Sequence, residues 1–514
     1  MSLIGSFVMS SMQLLAILLI CAIGLGIVVL AVLYYKDVNQ SENTIRRNYP
    51  VVGRFRAFFE HLGEFFRQYF FAMDREEMPF NRAERSWVYR AAKGVDNTVA
   101  FGSTRNIFSA GTILFENTPY PTLDEDAVEP ELVVIGEGYC EQPYATKSLF
   151  NISAMSYGAI SKPAVQALSK GAKKAGAWLN TGEGGLAPYH LEGGCDVVFQ
   201  IGTGNYGVRD TNGKFSAEKL KQVAAHEQVK MTEIKISQGA KPGKGGILPG
   251  IKVTTEVAQI RGIPAGEDSI SPNRHVEIEN DNELLEFIAS TRKLTGKPVG
   301  IKAVLGGNLW ITRLCEAIQE KGLEYAPDFF TVDGGDGGTG AAPMSLMDTV
   351  GLPLKESLPF LVNELIRYDL RARIKVIASG KLVNPSEVAW ALCTGADFVN
   401  SARGPMMALG CIQAMQCNKN TCPTGITTHQ EKYQKGLNVT KKSDRVAQYI
   451  KQMVYEIGHI SHSVGLKEPR ELDRTHARMM GENGVTVELT SLYPYPNYHL
   501  NRETMQQRLK EANH

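Results

Sequence analysis

Phe329-Phe330-Thr331-Val332 runs directly into Asp333-Gly334-Gly335-Asp336-Gly337-Gly338-Thr339-Gly340, and this junction decides the fold. A short apolar run bounded by turn residues reads as a buried strand. It breaks into glycine and aspartate, a pattern that lets backbone approach a ligand closely. The same transition recurs along the chain. Candidate strands fall at 149–154, 176–180, 196–200, 231–237, 298–304, 328–332, 374–378 and 397–400. Amphipathic stretches at 161–174, 282–295 and 309–322 separate several of them. Strands alternating with helices in this number predict a parallel (β/α)8 TIM barrel, an α/β fold, rather than an open sheet.

The candidate strands end in small or polar residues. The first enters Met155-Ser156-Tyr157-Gly158, the second Asn180-Thr181-Gly182-Glu183-Gly184-Gly185, and the fourth Gln238-Gly239-Ala240-Lys241-Pro242-Gly243. Lys302 lies on the fifth, and the seventh and eighth enter Ser379-Gly380-Lys381 and Ser401-Ala402-Arg403-Gly404. In a β/α barrel these ends form the site face, and the loops after strands seven and eight commonly hold a phosphate. Any one such loop reads equally as an ordinary βα turn; the set in register does not.

Cys411, Cys417 and Cys422 form a second signal, C-x5-C-x4-C closed by Pro423. Thiolates select iron–sulfur clusters, zinc or Cu(I). Three thiolates without a fourth suit a cluster lacking one iron vertex, whereas His429 would complete a Cys3His zinc site of unusual spacing. Three unrelated core cysteines are the plainer alternative. A phosphate-bearing ring cofactor beside such a cluster implies electron transfer through a flavin. Lys302 then suits the negative charge of a reduced ring, and Lys241 and Arg261 suit a dicarboxylate. Glu183, in a glycine-flanked turn, is a candidate proton relay.

The 514 residues carry a net charge of +1, which gives no electrostatic case for nucleic acid. Eight cysteines are too few for a disulfide scaffold and fit a reducing compartment. Leu14 to Tyr35 contains no charge, enough to span a hydrocarbon core of about 30 Å. Lys36, Arg46, Arg47, Arg54 and Arg56 follow, so the positive-inside rule predicts a single-pass membrane protein with its catalytic domain in the cytoplasm. The expected organisation is an anchor at 1–36, a wrapping segment at 37–145, a barrel with its cysteine loop at 146–430 and a helical tail at 431–514 with one good helix near 442–457. Within the wrapping segment, Phe55, Phe58, Phe59, Leu62, Phe65, Phe66, Tyr69 and Phe70 place a largely aromatic face on a helix over 55–71. That face suits either a membrane interface or the main domain.

Together these stretches resemble the FMN-binding synthase domain of glutamate synthase. The matching residues include Ala154 to Ser161, Asn180 to Gly185, Lys235 to Gly250, Gly335 to Ala341, and the three cysteines with Asn420-Thr421-Cys422-Pro423. The resemblance covers roughly 145–430 and implies FMN and a [3Fe-4S] cluster on Cys411, Cys417 and Cys422. It implies cofactor contacts from Met155, Ser156, Gln238, Lys302, Gly335, Gly337, Gly338, Ser379, Gly380, Ala402 and Arg403. It associates Glu183, Lys241 and Arg261 with catalysis and 2-oxoglutarate binding. The sequence departs from the family at Ile247, where a polar Gln is usual, and across Ser271 to His275. An anchor is expected where the full enzyme has its glutaminase domain, and no counterpart of that enzyme's C-terminal β-helix domain is expected in this sequence.

The expected activity is therefore an oxidoreductase acting on CH–NH2 donors in glutamate biosynthesis. It would reduce an imino acid, formed from 2-oxoglutarate or a related keto acid and an amine, to glutamate or a related amino acid. Nitrogen would come from ammonia, an amine or a separate glutaminase. Electrons would come from ferredoxin or a pyridine-nucleotide subunit, because no G-x-G-x-x-G fingerprint is expected to open a βαβ unit. Two rivals remain: a flavin amino-acid dehydrogenase feeding a membrane partner, and a non-catalytic membrane-anchored redox subunit.

Overall fold

The computed structural model describes residues 2–40 and 44–496. The final stretch of the expected tail, 497–514, lies outside the described residues. Two compact units make up the chain, Met1–Ala83 and Glu84–His514.

The larger unit is built on a closed barrel of eight parallel strands. They are β1 (Phe150–Ile152), β2 (Leu179–Asn180), β3 (Val197–Ile201), β4 (Val229–Lys235), β5 (Val299–Ala303), β6 (Phe329–Asp333), β7 (Lys375–Ser379) and β8 (Phe398–Ser401). Each falls on an expected strand. The barrel closes where β8 pairs with β1, Asn400 opposite Asn151. Helices Lys162–Ala175, Asp281–Thr295 and Leu309–Lys321 occupy the expected intervals. The first and second end at Gly176 and Gly296 in left-handed conformation, where glycine avoids the Cβ clash.

Side-chain alternation sorts the barrel interior by depth. At the N-terminal end Trp178, Val198, Met231, Phe329, Ile377 and Phe398 pack into one apolar cluster, joined by Ile135 and Tyr144 from the hairpin Val133–Ile135/Tyr144–Thr146. One step along the strands the interior becomes polar. The buried carboxylate of Glu233 accepts bonds from Asn180 (2.9 Å), Gln200 (2.6 Å) and Thr331 (2.7 Å). Another step brings Lys235 and Asp333 to the C-terminal mouth. The closed apolar end supplies stability, and the polar end is left to bind.

The tail helix is longer than expected, Val439–Ser463, and packs on Lys162–Ala175. The remaining described tail is not helical throughout. Ala477–Met480 pairs on one side with Ile113–Phe115 and on the other with Thr486–Glu488, so both extensions join in one antiparallel sheet. In the smaller unit, Ser2–Asn39 is one helix, apolar enough to cross a membrane over Phe7–Asn39. The aromatic segment is an α-helix only over Val52–Phe66; Arg67–Phe71 continues as a π-helical turn.

Candidate active site

Glu183 anchors the mouth of the barrel. Its loop leaves β2 at Asn180, whose side-chain oxygen accepts the Gly182 amide at 2.9 Å. The carboxylate lies 2.9 Å from Lys235 Nζ, at the end of β4. Gly246 backs it so closely that any Cβ there would collide with Glu183 Oε1. Burial alone would raise the Glu183 pKa, but Lys235, Lys241 and Arg261 outweigh it and hold the group at about 2.

Lys241 and Arg261 are buried beside it and form no ion pair within 4.0 Å among the described residues. Burial, reinforced by repulsion from Lys235, pushes Lys241 down to about 8. Arg261 donates to Ser269 Oγ (3.2 Å) and Ser156 Oγ (3.3 Å), and its guanidinium lies 5.2 Å from the Tyr206 ring centre. Its buried Nε has no partner. The structure thus brings the expected residues Glu183, Lys241, Arg261 and Ser156 together, with more positive than negative charge in a space largely closed to water. Ile247 begins the short strand Ile247–Leu248, paired with Ser269–Ile270, and His275 bonds the Lys235 carbonyl at 2.9 Å.

The loops expected to hold a cofactor ring this site. Lys302 points into the barrel, 3.3 Å from Asp333 Oδ2, and the same oxygen accepts the Gly239 amide at 2.9 Å. Burial disfavours charge on Lys302, yet Asp333 and Glu233 raise its pKa above the ordinary value. Gln238 donates to Thr339 Oγ1 at 3.0 Å, and Arg403 to the Thr339 carbonyl at 2.6 Å. Met155 is buried beside the Glu183 loop, where its amide faces the Asn180 carbonyl at 3.4 Å. Gly380, after Ser379, has φ +143°, and a Cβ there would lie 3.2 Å from the Gly334 amide nitrogen. Ala402 precedes the helix Arg403–Leu409. Within this loop the Gly335 amide bonds Leu352 O (2.7 Å) and the Gly337 amide bonds Gly334 O (2.8 Å). Gly338 faces Arg403, 3.2 Å from a Cβ position to its Nε. Gly335 to Gly340 has the literal G-x-G-x-x-G spacing. It follows a strand of a closed barrel and meets Gln238 and Arg403, not a helix of its own.

The cysteine segment lies against the same face. Arg403 Nη1 is 3.8 Å from Cys417 Sγ, and buried Lys252 donates to the carbonyls of Cys417 (3.1 Å) and Ala159 (2.6 Å). Cys417 and Cys422 are electrostatic neighbours of both Lys252 and Cys411. Burial opposes ionisation of Cys422, but hydroxyl and amide donors from Thr424 and Thr427 bring its pKa below the ordinary thiol value. Tyr89 donates to the Cys411 carbonyl at 2.6 Å. All eight cysteines are free thiols, and among the described residues no three His, Cys, Asp or Glu side chains are grouped as a metal site. His429 spends Nε2 on the Gly158 carbonyl at 2.9 Å rather than turning it to the thiols.

Sequence reading missed Lys235, Glu233, Asp333 and Lys252 as site residues. The alternation of β4, with Glu233 and Lys235 two apart on one face, was the available signal for the first two. Lys252 gave none, because its neighbours are remote in sequence.

Residues 115–467 match the family model described as the conserved region in glutamate synthase. The glutamate synthase large subunit-like protein YerD of Bacillus subtilis is 40% identical over 91% of this chain and 96% of its own length. The archaeal-type glutamate synthase (NADPH) of Thermotoga maritima is 32% identical over 66% of this chain, which spans 64% of that protein. Among solved structures, a mutant flavocytochrome b2 with pyruvate bound aligns over 77% of this chain and 82% of its own at 14% identity, TM-score 0.43. With the family model spanning most of its length, and with a relative so similar along nearly all of it, the chain belongs to the glutamate synthase family.

Proposed function

We propose that this protein is a membrane-tethered oxidoreductase, dependent on FMN and a [3Fe-4S] cluster. It reduces an imino acid formed from 2-oxoglutarate, or a related keto acid, and an amine to glutamate or a related amino acid. The observation that carries this reading is the trio Lys235, Lys241 and Arg261, desolvated around the Glu183 carboxylate, which they outnumber. Buried cations in excess of their counter-charge are costly, so the site is built to be completed by an anion. Two cations around a closed mouth suit two carboxylates, Arg261 offering the forked geometry.

The residues present suit FMN, whereas the cluster assignment rests on the cysteine spacing and the family resemblance, since among the described residues the three thiols are not grouped as a metal site. Lys302 supplies a buried positive charge at the barrel centre, and Gly380 lets the turn after β7 pass close to the Gly334 backbone at the barrel mouth. Met155, Ser156, Gln238, Lys302, Ser379, Gly380, Ala402 and Arg403 would hold FMN. Cys411, Cys417 and Cys422 would hold the cluster, with soft donors and amide hydrogens aimed at Cys422. When bound, FMN supplies hydride chemistry and the cluster supplies single electrons.

Lys241 and Arg261 orient the substrate carboxylates. Glu183, ionised at neutral pH, favours a cationic nitrogen on the substrate. A carboxylate held at about 2 is a poor proton acceptor. A dianion between Lys241 and Arg261 would cancel charges that hold it there and move Glu183 toward the working range. Ammonia, an amine or a separate glutaminase supplies nitrogen, and ferredoxin or a pyridine-nucleotide subunit supplies electrons. The helix Phe7–Asn39 spans the membrane once, with the barrel on the cytoplasmic side. Steady-state assays test the reading: oxidation of a reductant that requires both 2-oxoglutarate and ammonia supports it. Dye reduction by an amino acid with no keto-acid-dependent turnover overturns it in favour of a dehydrogenase.

A further inference from the structure

We propose that the aromatic helix Val52–Phe66, with its π-helical continuation Arg67–Phe71, is a second membrane contact that lies in the lipid interface. The proposal rests on the reading of Phe7–Asn39 as a span.

Position supplies the first argument. Tyr34 and Tyr35, both exposed, close the apolar run and Lys36 follows, an arrangement that marks a membrane–water boundary. Asp37 comes next and is only 1% exposed, because Arg54 clamps it with two bonds, Nε to Oδ2 at 2.8 Å and Nη2 to Oδ1 at 2.6 Å. The Val51 amide adds a third at 2.9 Å. Gly53 fits against the backbone of Ile45, 3.0 Å from a Cβ position to its carbonyl oxygen. At about 1.5 Å rise per residue, Asp37 lies roughly 3 Å beyond Tyr35. The clamp therefore fixes the first turn of the aromatic helix at headgroup depth.

Chemistry supplies the second. On a helix of 100° per residue, Val52, Phe55, Phe58, Phe59, Leu62 and Phe66 share one arc, and Arg56 and Glu60 lie outside it. Phe55, Phe58 and Phe59 are 57%, 56% and 61% exposed, and Phe70 and Phe71 66% and 73%. Phe58 packs edge-on to Phe59 at 5.4 Å and Phe66 on Phe70 at 5.3 Å, so the rings gather in two clusters along the segment. Burying such rings is favourable, and an interfacial helix sinks its apolar face about 5–10 Å into the bilayer. Arg46, Arg47, Arg56 and Arg67 suit anionic headgroups. Lipid is the occupant that a face held beside the end of a span must meet.

The test uses the full chain in phosphatidylcholine–phosphatidylglycerol vesicles carrying bromine at a shallow or a deep acyl position. Variants Leu25→Trp, Phe58→Trp and Glu60→Trp each add one tryptophan to the four native ones. Leu25→Trp should lose most of its added emission to deep bromine, Phe58→Trp to shallow bromine, and Glu60→Trp to aqueous acrylamide. Quenching of Leu25→Trp without lipid quenching of Phe58→Trp would overturn the interfacial helix and leave the span intact. No lipid quenching of either would overturn the span, and this inference with it. Phe59→Trp repeats the measurement should Phe58→Trp fold poorly.

Discussion

Around Glu183, charge and burial are opposed, and the opposition is measurable through pH. The Glu183 pKa is depressed to about 2, so its stabilising contribution is full above the ordinary carboxylate value of 4.5 and disappears as pH falls toward 2. Replacing it, Glu183→Gln, leaves three cations facing one another and should destabilise the fold by about 3 kcal/mol in urea titrations at neutral pH. The variant should also lose the wild type's steep drop in stability between those two pH values. Lys241 behaves oppositely. Its native value of about 8 lies below the ordinary 10.5, so the penalty for its buried charge is present below pH 8 and is relieved as pH rises toward 10.5. On the proposed reading, 2-oxoglutarate would bind the charged form. Calorimetry should therefore show affinity falling by up to about tenfold per pH unit above 8. Lys241→Gln should bind at least about tenfold more weakly at pH 7 and show no such slope.

At the scale of elements, the strand ends and the cysteine loop carry the cofactor proposal. Gly380→Ala places a side chain against the Gly334 backbone at a φ of +143° that other residues rarely adopt. A strain of about 1–3 kcal/mol at that turn should lower the FMN-to-protein ratio after gel filtration while the circular dichroism of the barrel is retained. Cys417→Ser should strip iron and sulfide from anaerobically purified protein and leave FMN in place; unchanged iron content would contradict the ligand assignment. The eight barrel strands were legible in sequence because each is an apolar run cut off by glycine or a polar residue, a purely local signal. Short strands such as Ile113–Phe115 and Ala477–Met480 were not, since three or four residues carry too little pattern and their partners are hundreds of positions away. The same distance hid the roles of Lys252 and Asp333. The charge cluster at Glu183, Lys241 and Arg261 came from the family resemblance, and the structure added Lys235 as the group that pairs with Glu183. The Gly335 and Gly337 N–H groups close their loop on itself, so a cofactor contact there would use other atoms of these glycines.

For the whole molecule, the division of labour follows the barrel axis. An apolar plug around Trp178 and Phe398 holds one end, a buried carboxylate network around Glu233 turns the interior polar, and the mouth concentrates cations. Loops from several strands must be held together for such a site to exist, which is why a closed barrel with wrapped extensions suits it. The Cys411–Cys422 segment and Arg403 bring thiols to the same face as Lys302 and Thr339, where the proposed relay of electrons would enter the barrel. The most direct measurement is anaerobic: purified full-length protein is reduced chemically and its flavin absorbance followed as 2-oxoglutarate and ammonium are added, singly and together. The oxidised flavin band should return only when both are present, and should fail to return in Lys241→Gln. A protein without flavin, or a flavin that stays reduced with both substrates at saturating concentration, would contradict the account.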